Sequence, residues 1–305
     1  TGDLGKNLQR IRNLFVTLIG LRVFSSILAE LRESVSAAKD FNQAISEIQT
    51  IARENALVFD EWSKQLLTLS SSLGVERIEA AEAAYQALSN QVVDASNAVS
   101  FITDQTKLAT VAVSTLDEAV QTSTAIINAF GLSVENSSSV AAILFKTVEL
   151  GRLRLRDLSN TIGRVSILSR QLGVSFTEQQ AAIALLTRRG IKAEEAITLL
   201  RNVELKLVKP TERMSELFRE WGVSSGEAAI KTFGLAGVIN KFVQEAQKSG
   251  DVAAELAHIF GRLRAIVGGT ALSQADLNAE VAKFSTAGRD AFEAFQQRIE
   301  SFSKR

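Results

Sequence analysis

Five times along this chain a glycine is followed at once by an aliphatic residue at the end of a run of good helix formers: Gly74-Val75, Gly131-Leu132, Gly173-Val174, Gly190-Ile191 and Gly222-Val223. Glycine tolerates the left-handed conformation that stops an α-helix, and the apolar residue after it folds back onto the last turn. The pairs predicted are Leu132 on Ile127, Ile191 on Leu186 and Val223 on Phe218. Start signals come next. Ser175 with Glu178 and Ser224 with Glu227 read as capping boxes, and Ser133 is placed to cap a run from Glu135 to Leu150. The lone Pro210 breaks one more helix between Lys209 and Thr211. One proline, one tyrosine and an excess of Ala, Leu, Glu, Gln, Lys and Arg leave little from which to build strands. The predicted fold class is therefore all-α. Unequal spacing between the stops excludes a fixed-period solenoid and predicts an irregular multi-helix domain. Small residues at Ala80, Ala81, Ala83 and Ala84, and at Ala181, Ala182 and Ala184, suit close helix crossings.

The first seventy residues carry a different pattern. Every seventh position from Phe24 is apolar: Phe24, Leu31, Ala38, Ile45, Ala52, Phe59 and Leu66. A companion row three residues on runs Ile27, Ser34, Phe41, Ile48, Asn55, Trp62 and Leu69. Paired apolar rows at this spacing predict a coiled-coil-like helix. From Asn7 to Ser72 it would be roughly 100 Å long. Phe24, Phe41, Phe59 and Trp62 need more room than a two-stranded seam encloses, so a parallel homo-oligomer is expected, a trimer favoured and a hexamer possible. Asn55 would set its register. The expected domains are an oligomerisation rod over 1–73, a helical core over 74–287 and a C-terminal helix over 288–305. That last helix is read as leading into a further rod, because a chain running from Thr1 to Arg305 reads as a piece of something longer.

Several chemistries are absent from the sequence. There is no cysteine for a disulfide, nucleophile or thiolate metal site, and the single His258 has no imidazole partner. Gly268-Gly269-Thr270 lacks the Gly-Lys-Ser/Thr of a phosphate loop, and Glu194 and Glu195 are adjacent, so they diverge on a helix. No enzyme, cofactor or metal is expected. Basic and acidic residues balance at 34 each, so no global field steers the chain to nucleic acid. The alternating Arg152, Arg154 and Arg156, near Arg164 and Arg170, form a local cluster that reads as a solvated loop. Arg188, Arg189 and Lys192 flank a helix end, where cations complement the macrodipole. The stretch from Leu14 to Ala29 is apolar around most of its circumference. It carries only Arg22 as a charge, which would cost about 2.5 to 3.5 kcal/mol at a bilayer centre. A bundle helix is the favoured reading, and an α-helical membrane-active, pore-forming protein is the alternative.

The order of these segments resembles the core region of phage tail tape measure proteins. The strings that carry the likeness are Leu116 to Leu132 (LDEAVQTSTAIINAFGL), Leu158 to Val174 (LSNTIGRVSILSRQLGV) and Ser175 to Arg201 (SFTEQQAAIALLTRRGIKAEEAITLLR), followed by Lys209-Pro210-Thr211 and Glu220-Trp221-Gly222-Val223. It spans roughly residues 60 to 275. The chain departs from the pattern at Ala193 and Glu195-Ala196-Ile197, and at Leu88-Ser89-Asn90-Gln91, where the family usually ends a helix in Ala-Gly. The resemblance implies a structural virion protein that sets tail length, fills the tube lumen, connects to the tip or baseplate and is released during genome ejection. Implied partners are the tail tube protein, tip and baseplate proteins and assembly chaperones, with host-membrane contact on ejection and no specific nucleic-acid sequence. The implied location is the virion tail, and the host cytoplasm during assembly.

Overall fold

The computed structural model describes residues 39–48, 64–68, 70, 75–94, 96–260 and 274–303. The described residues are predominantly helical, with no strand among them. The chain divides into two compact units, 1–85 and 86–305. In the first, residues 39–48 and 64–68 are helical, and Phe41, Ile45, Ile48 and Leu66 are buried. Ala80, Ala81, Ala83 and Ala84 are buried on α1, Arg77–Ser89, which carries the chain across into the second unit. The remaining seam positions, Phe24, Ile27, Leu31, Ala38, Asn55, Phe59, Trp62 and Leu69, lie outside the described residues, as do Gly74 and the apolar stretch 14–29.

The second unit continues with α2 (Ala98–Ala112), α3 (Leu116–Phe130), a 3-10 turn (Val134–Asn136) and α4 (Ser137–Gly151). Next come α5 (Leu155–Ser159), α6 (Ile162–Leu172), α7 (Phe176–Arg188) and α8 (Ala193–Val208). The chain then runs through α9 (Glu212–Glu220), α10 (Gly226–Lys248), α11 (Val252–Phe260), α12 (Gln274–Lys283) and α13 (Ala287–Ser303). Helix α4 packs on α2, α7 and α13, while α6 packs on α3 and α8. Helix α7 runs between them against α4, α8 and α12. Its Ala181, Ala182 and Ala184 are fully buried. A Cβ on Gly151 at the end of α4 would meet Thr187 Oγ1 at 2.6 Å and Ala184 Cα at 3.1 Å. Small residues on both helices thus set how closely α4 approaches α7.

The stops are built as hydrogen-bonded left-handed turns. Gly131, Gly173, Gly190 and Gly222 all have positive φ. Beyond them Leu132 N–H donates to the Ile127 carbonyl at 2.9 Å, Val174 to Ser169 at 2.8 Å, Ile191 to Leu186 at 3.4 Å and Val223 to Phe218 at 2.9 Å. These six-to-one bonds satisfy carbonyls that a helix end leaves bare. Three further left-handed residues carry side chains: Gln91, Val113 and Arg152.

The helix starts differ in detail from expectation. The cap of α10 is Ser225 rather than Ser224, its hydroxyl accepting the Ala228 N–H at 3.0 Å. Ser133 accepts from Glu135 at 3.4 Å and starts the 3-10 turn, and α4 begins only at Ser137. Ser175 does cap α7, accepting from Glu178 N–H at 3.2 Å. The Glu178 carboxylate accepts the Ser175 hydroxyl through Oε2 at 3.4 Å, and through Oε1 it accepts Leu235 N–H at 3.1 Å. Leu235 follows Gly234, where α10 is broken by a residue at φ 70, ψ 169. A carboxylate from α7 thus caps the second half of α10. A capping box that both sides complete, and that the sequence pattern had not singled out, joins Thr115 with Glu118 on α3.

Candidate functional site

The arginine cluster is exposed and points in several directions. Arg152 closes α4 in the left-handed region, and Arg154 N–H donates to Asp157 Oδ2 at 3.0 Å at the start of α5. Arg170 reaches across to α3, donating to the Ala129 carbonyl at 3.4 Å and lying over Gly131, so it serves a helix end. Arg152, Arg156 and Lys192 line a cleft of about 520 Å³ together with Asp157, Glu194 and Thr187. Acids interleave with bases there, so the cleft has no strong field of one sign.

Arg188 and Arg189 have a tertiary role in addition to their place at the end of α7. Arg188 Nη1 lies 2.7 Å from Glu280 Oε1, and Arg189 Nη2 lies 2.6 Å from Asp276 Oδ2. Both acids belong to α12, and the buried Glu280 is also held by Lys283 at 2.8 Å. On α4, Lys146 bonds Asp290 of α13 and Glu149, each at 2.7 Å. Burial opposes the charge on Lys146, but its two carboxylate bonds outweigh burial and hold its pKa above the usual lysine value. The bonds from Lys146 and Thr286 hold Asp290 below the usual carboxylate range.

The most unusual polar feature lies inside the helix layer. Ser166 and Ser169 of α6, Gln179 and Gln180 of α7 and Glu204 of α8 are all fully buried and hydrogen-bonded to one another. A second buried pair joins Ser123 of α3 to Gln105 of α2 at 2.6 Å. Sequence reasoning passed over Glu204, although a signal was present. Ala193, Ala196, Ile197, Leu200, Val203 and Leu207 trace the apolar stripe of α8, and position 204 falls inside it.

Among the described residues no group of His, Asp and Glu is arranged to hold a metal ion. His258 is exposed, with Nδ1 3.9 Å from Glu255 Oε2. Among those residues, too, no helix is long and apolar enough to cross a membrane. The geometry is that of a packed helical body whose charged groups join helices to one another.

The family model of the phage-related minor tail proteins matches residues 63–261, more than half of the chain. The chain belongs to the phage-related minor tail protein family. The matched span takes in α1 to α11 and the turns at Gly131, Gly173, Gly190 and Gly222, so the family is carried by the helix-and-stop body just described. This is a structural protein of the phage tail. No curated protein and no solved structure gives a significant match to the chain.

Proposed function

We propose that this minor tail protein is a tape measure protein, which sets tail length by lying along the tube lumen and joining the tail tip or baseplate. The family match over residues 63–261, which begins within the last heptad of the rows ending at Leu66 and Leu69, carries the reading. A helical rod has a fixed rise of about 1.5 Å per residue, so chain length converts directly into distance. The rod partners with copies of itself, as a trimer in preference to a hexamer, and the tail tube protein encloses it. Assembly chaperones hold the chain in the host cytoplasm before tube polymerisation. During genome ejection it leaves the tube toward the host membrane.

Inserting ten heptads into the row before Ala38 and imaging the resulting virions tests the ruler. Tails longer by about 100 Å are expected. Tails of unchanged length would count against the ruler, and absence of the chain from tail particles would count against the lumen position.

A further inference from the structure

The buried polar cluster forms a continuous chain across three helices. The Ser166 hydroxyl donates to Gln179 Oε1 at 3.1 Å, and Gln180 Nε2 donates to the same oxygen at 2.9 Å. Gln179 Nε2 donates to the Ser169 hydroxyl at 2.8 Å, and that hydroxyl donates to Glu204 Oε1 at 2.5 Å. Two acceptors are left over within this cluster: Glu204 Oε2 and Gln180 Oε1 have no hydrogen-bond partner. An ionised carboxylate only accepts, so as an anion Glu204 would bury a charge with one oxygen unsatisfied. As a carboxylic acid it carries its own donor into a cluster that has spare acceptors.

Among the described residues no cation compensates the site. The charged groups on the helices packed against α8 are Arg156 and Asp157 on α5, Arg164 and Arg170 on α6, and Glu178 and Arg188 on α7. Helix α10 adds Glu227, Lys231, Lys241, Glu245 and Lys248, and α8 itself carries Glu194, Glu195, Arg201 and Lys206. None of these is buried. Only two influences act on Glu204: burial pushes its pKa up to about 8, and the Ser169 hydroxyl pulls it part of the way back.

We propose that Glu204 is held as a neutral carboxylic acid at the junction of α6, α7 and α8, and that its ionisation is a proton switch that loosens this junction. The direction follows from linkage. The folded chain keeps a proton that the unfolded chain has lost, from the ordinary glutamate value of 4.5 up to about 8. Its contribution is therefore fully present below 4.5, declines as pH rises, and is gone above about 8. Outside that window Glu204 adds no pH dependence.

Urea unfolding of the full chain between pH 5 and 9, for the wild type and Glu204→Gln, reads the switch. The wild-type unfolding constant should rise by up to about tenfold per pH unit below pH 8, relative to that of E204Q. Glutamine keeps the acceptor for Ser169 and cannot ionise, so the two proteins should differ most at the alkaline end and converge toward the acid end. Infrared difference spectroscopy of the wild type is a second, independent reading. A buried protonated carboxylic acid band should be present at pH 6 and lost by pH 9. If E204Q keeps the full wild-type pH slope, or the wild type shows no such band at pH 6, the proposal is overturned. Should E204Q fail to fold, the infrared reading on the wild type decides alone.

Discussion

Left-handed backbone costs a residue with a Cβ about 1–2 kcal/mol, and Gln91 and Val113 both bear it. Val113 is also 75% exposed, so little packing would be lost with its side chain. Gln91→Gly and Val113→Gly are each expected to stabilise the chain by about 0.5–1 kcal/mol, the gain being offset in part by the freer unfolded chain. A shift of the urea midpoint at constant slope would measure it. The opposite substitutions separate two reasons for glycine. A Cβ at Gly173 would meet nothing within 4 Å, so Gly173→Ala should cost only the backbone strain, about 1 kcal/mol. At Gly226, whose φ is not positive, a Cβ would run into the Leu207 carbonyl. Gly226→Ala should cost about 3 kcal/mol, because backbone cannot step aside as a side chain can. The arginine cluster predicts the reverse. Alanine at Arg152, Arg154 and Arg156 together should leave the unfolding midpoint nearly unchanged, since all three are exposed and make no side-chain ion pair. Loss of DNA binding at moderate salt in that variant would show the cluster to be a phosphate contact instead.

Two helices each depend on a single carboxylate contact with a distant helix. The second half of α10 starts at Leu235 with Glu178 as its cap, and a carboxylate suits the positive end of a helix. Glu178→Ala is expected to cost about 1–2 kcal/mol and to speed amide exchange from Leu235 to Val238, while the first half of α10 keeps its Ser225 cap. Equal acceleration along the whole of α10 would contradict this division. Helix α13 is tied to α4 through Asp290 and the buried Lys146. Asp290→Ala leaves that ammonium with the half-exposed Glu149 alone, so about 2 kcal/mol should be lost locally. Limited proteolysis should then release residues 284–303 faster than in the wild type, with α7 protected as before. Sequence alone could place the Ser175 cap and the stops at Gly131, Gly173, Gly190 and Gly222, because capping serines and stop glycines act within a few residues. It could not find Glu178 as the α10 cap, since that contact joins residues 57 positions apart.

For the whole molecule, the test of the proposed assembly is sedimentation of the full chain, with a trimer expected. Asp at both Ile45 and Ile48 should abolish self-association. Since both are already buried within one chain, circular dichroism must show whether the helices persist in that variant. A monomeric wild type would mean that the described part of the seam packs only within its own chain. The all-α class, the turns at Gly131, Gly173, Gly190 and Gly222 and the break at Pro210 were determined by the sequence itself. Glycine, proline and helix-forming side chains act on their own backbone, so no partner need be known. A phage-tail assignment was legible for the same reason, being written in the strings between those stops. Tertiary structure decided which helices meet and what their charges do. Arg188 and Arg189 at the end of α7 were open to service of the macrodipole alone until α12 brought Glu280 and Asp276 to them. Glu204 looked like any glutamate on a helix until α6 and α7 closed over it and removed the water that would have kept it ionised. The cost of a buried charge depends on everything that surrounds it, and only the packed molecule determines those surroundings.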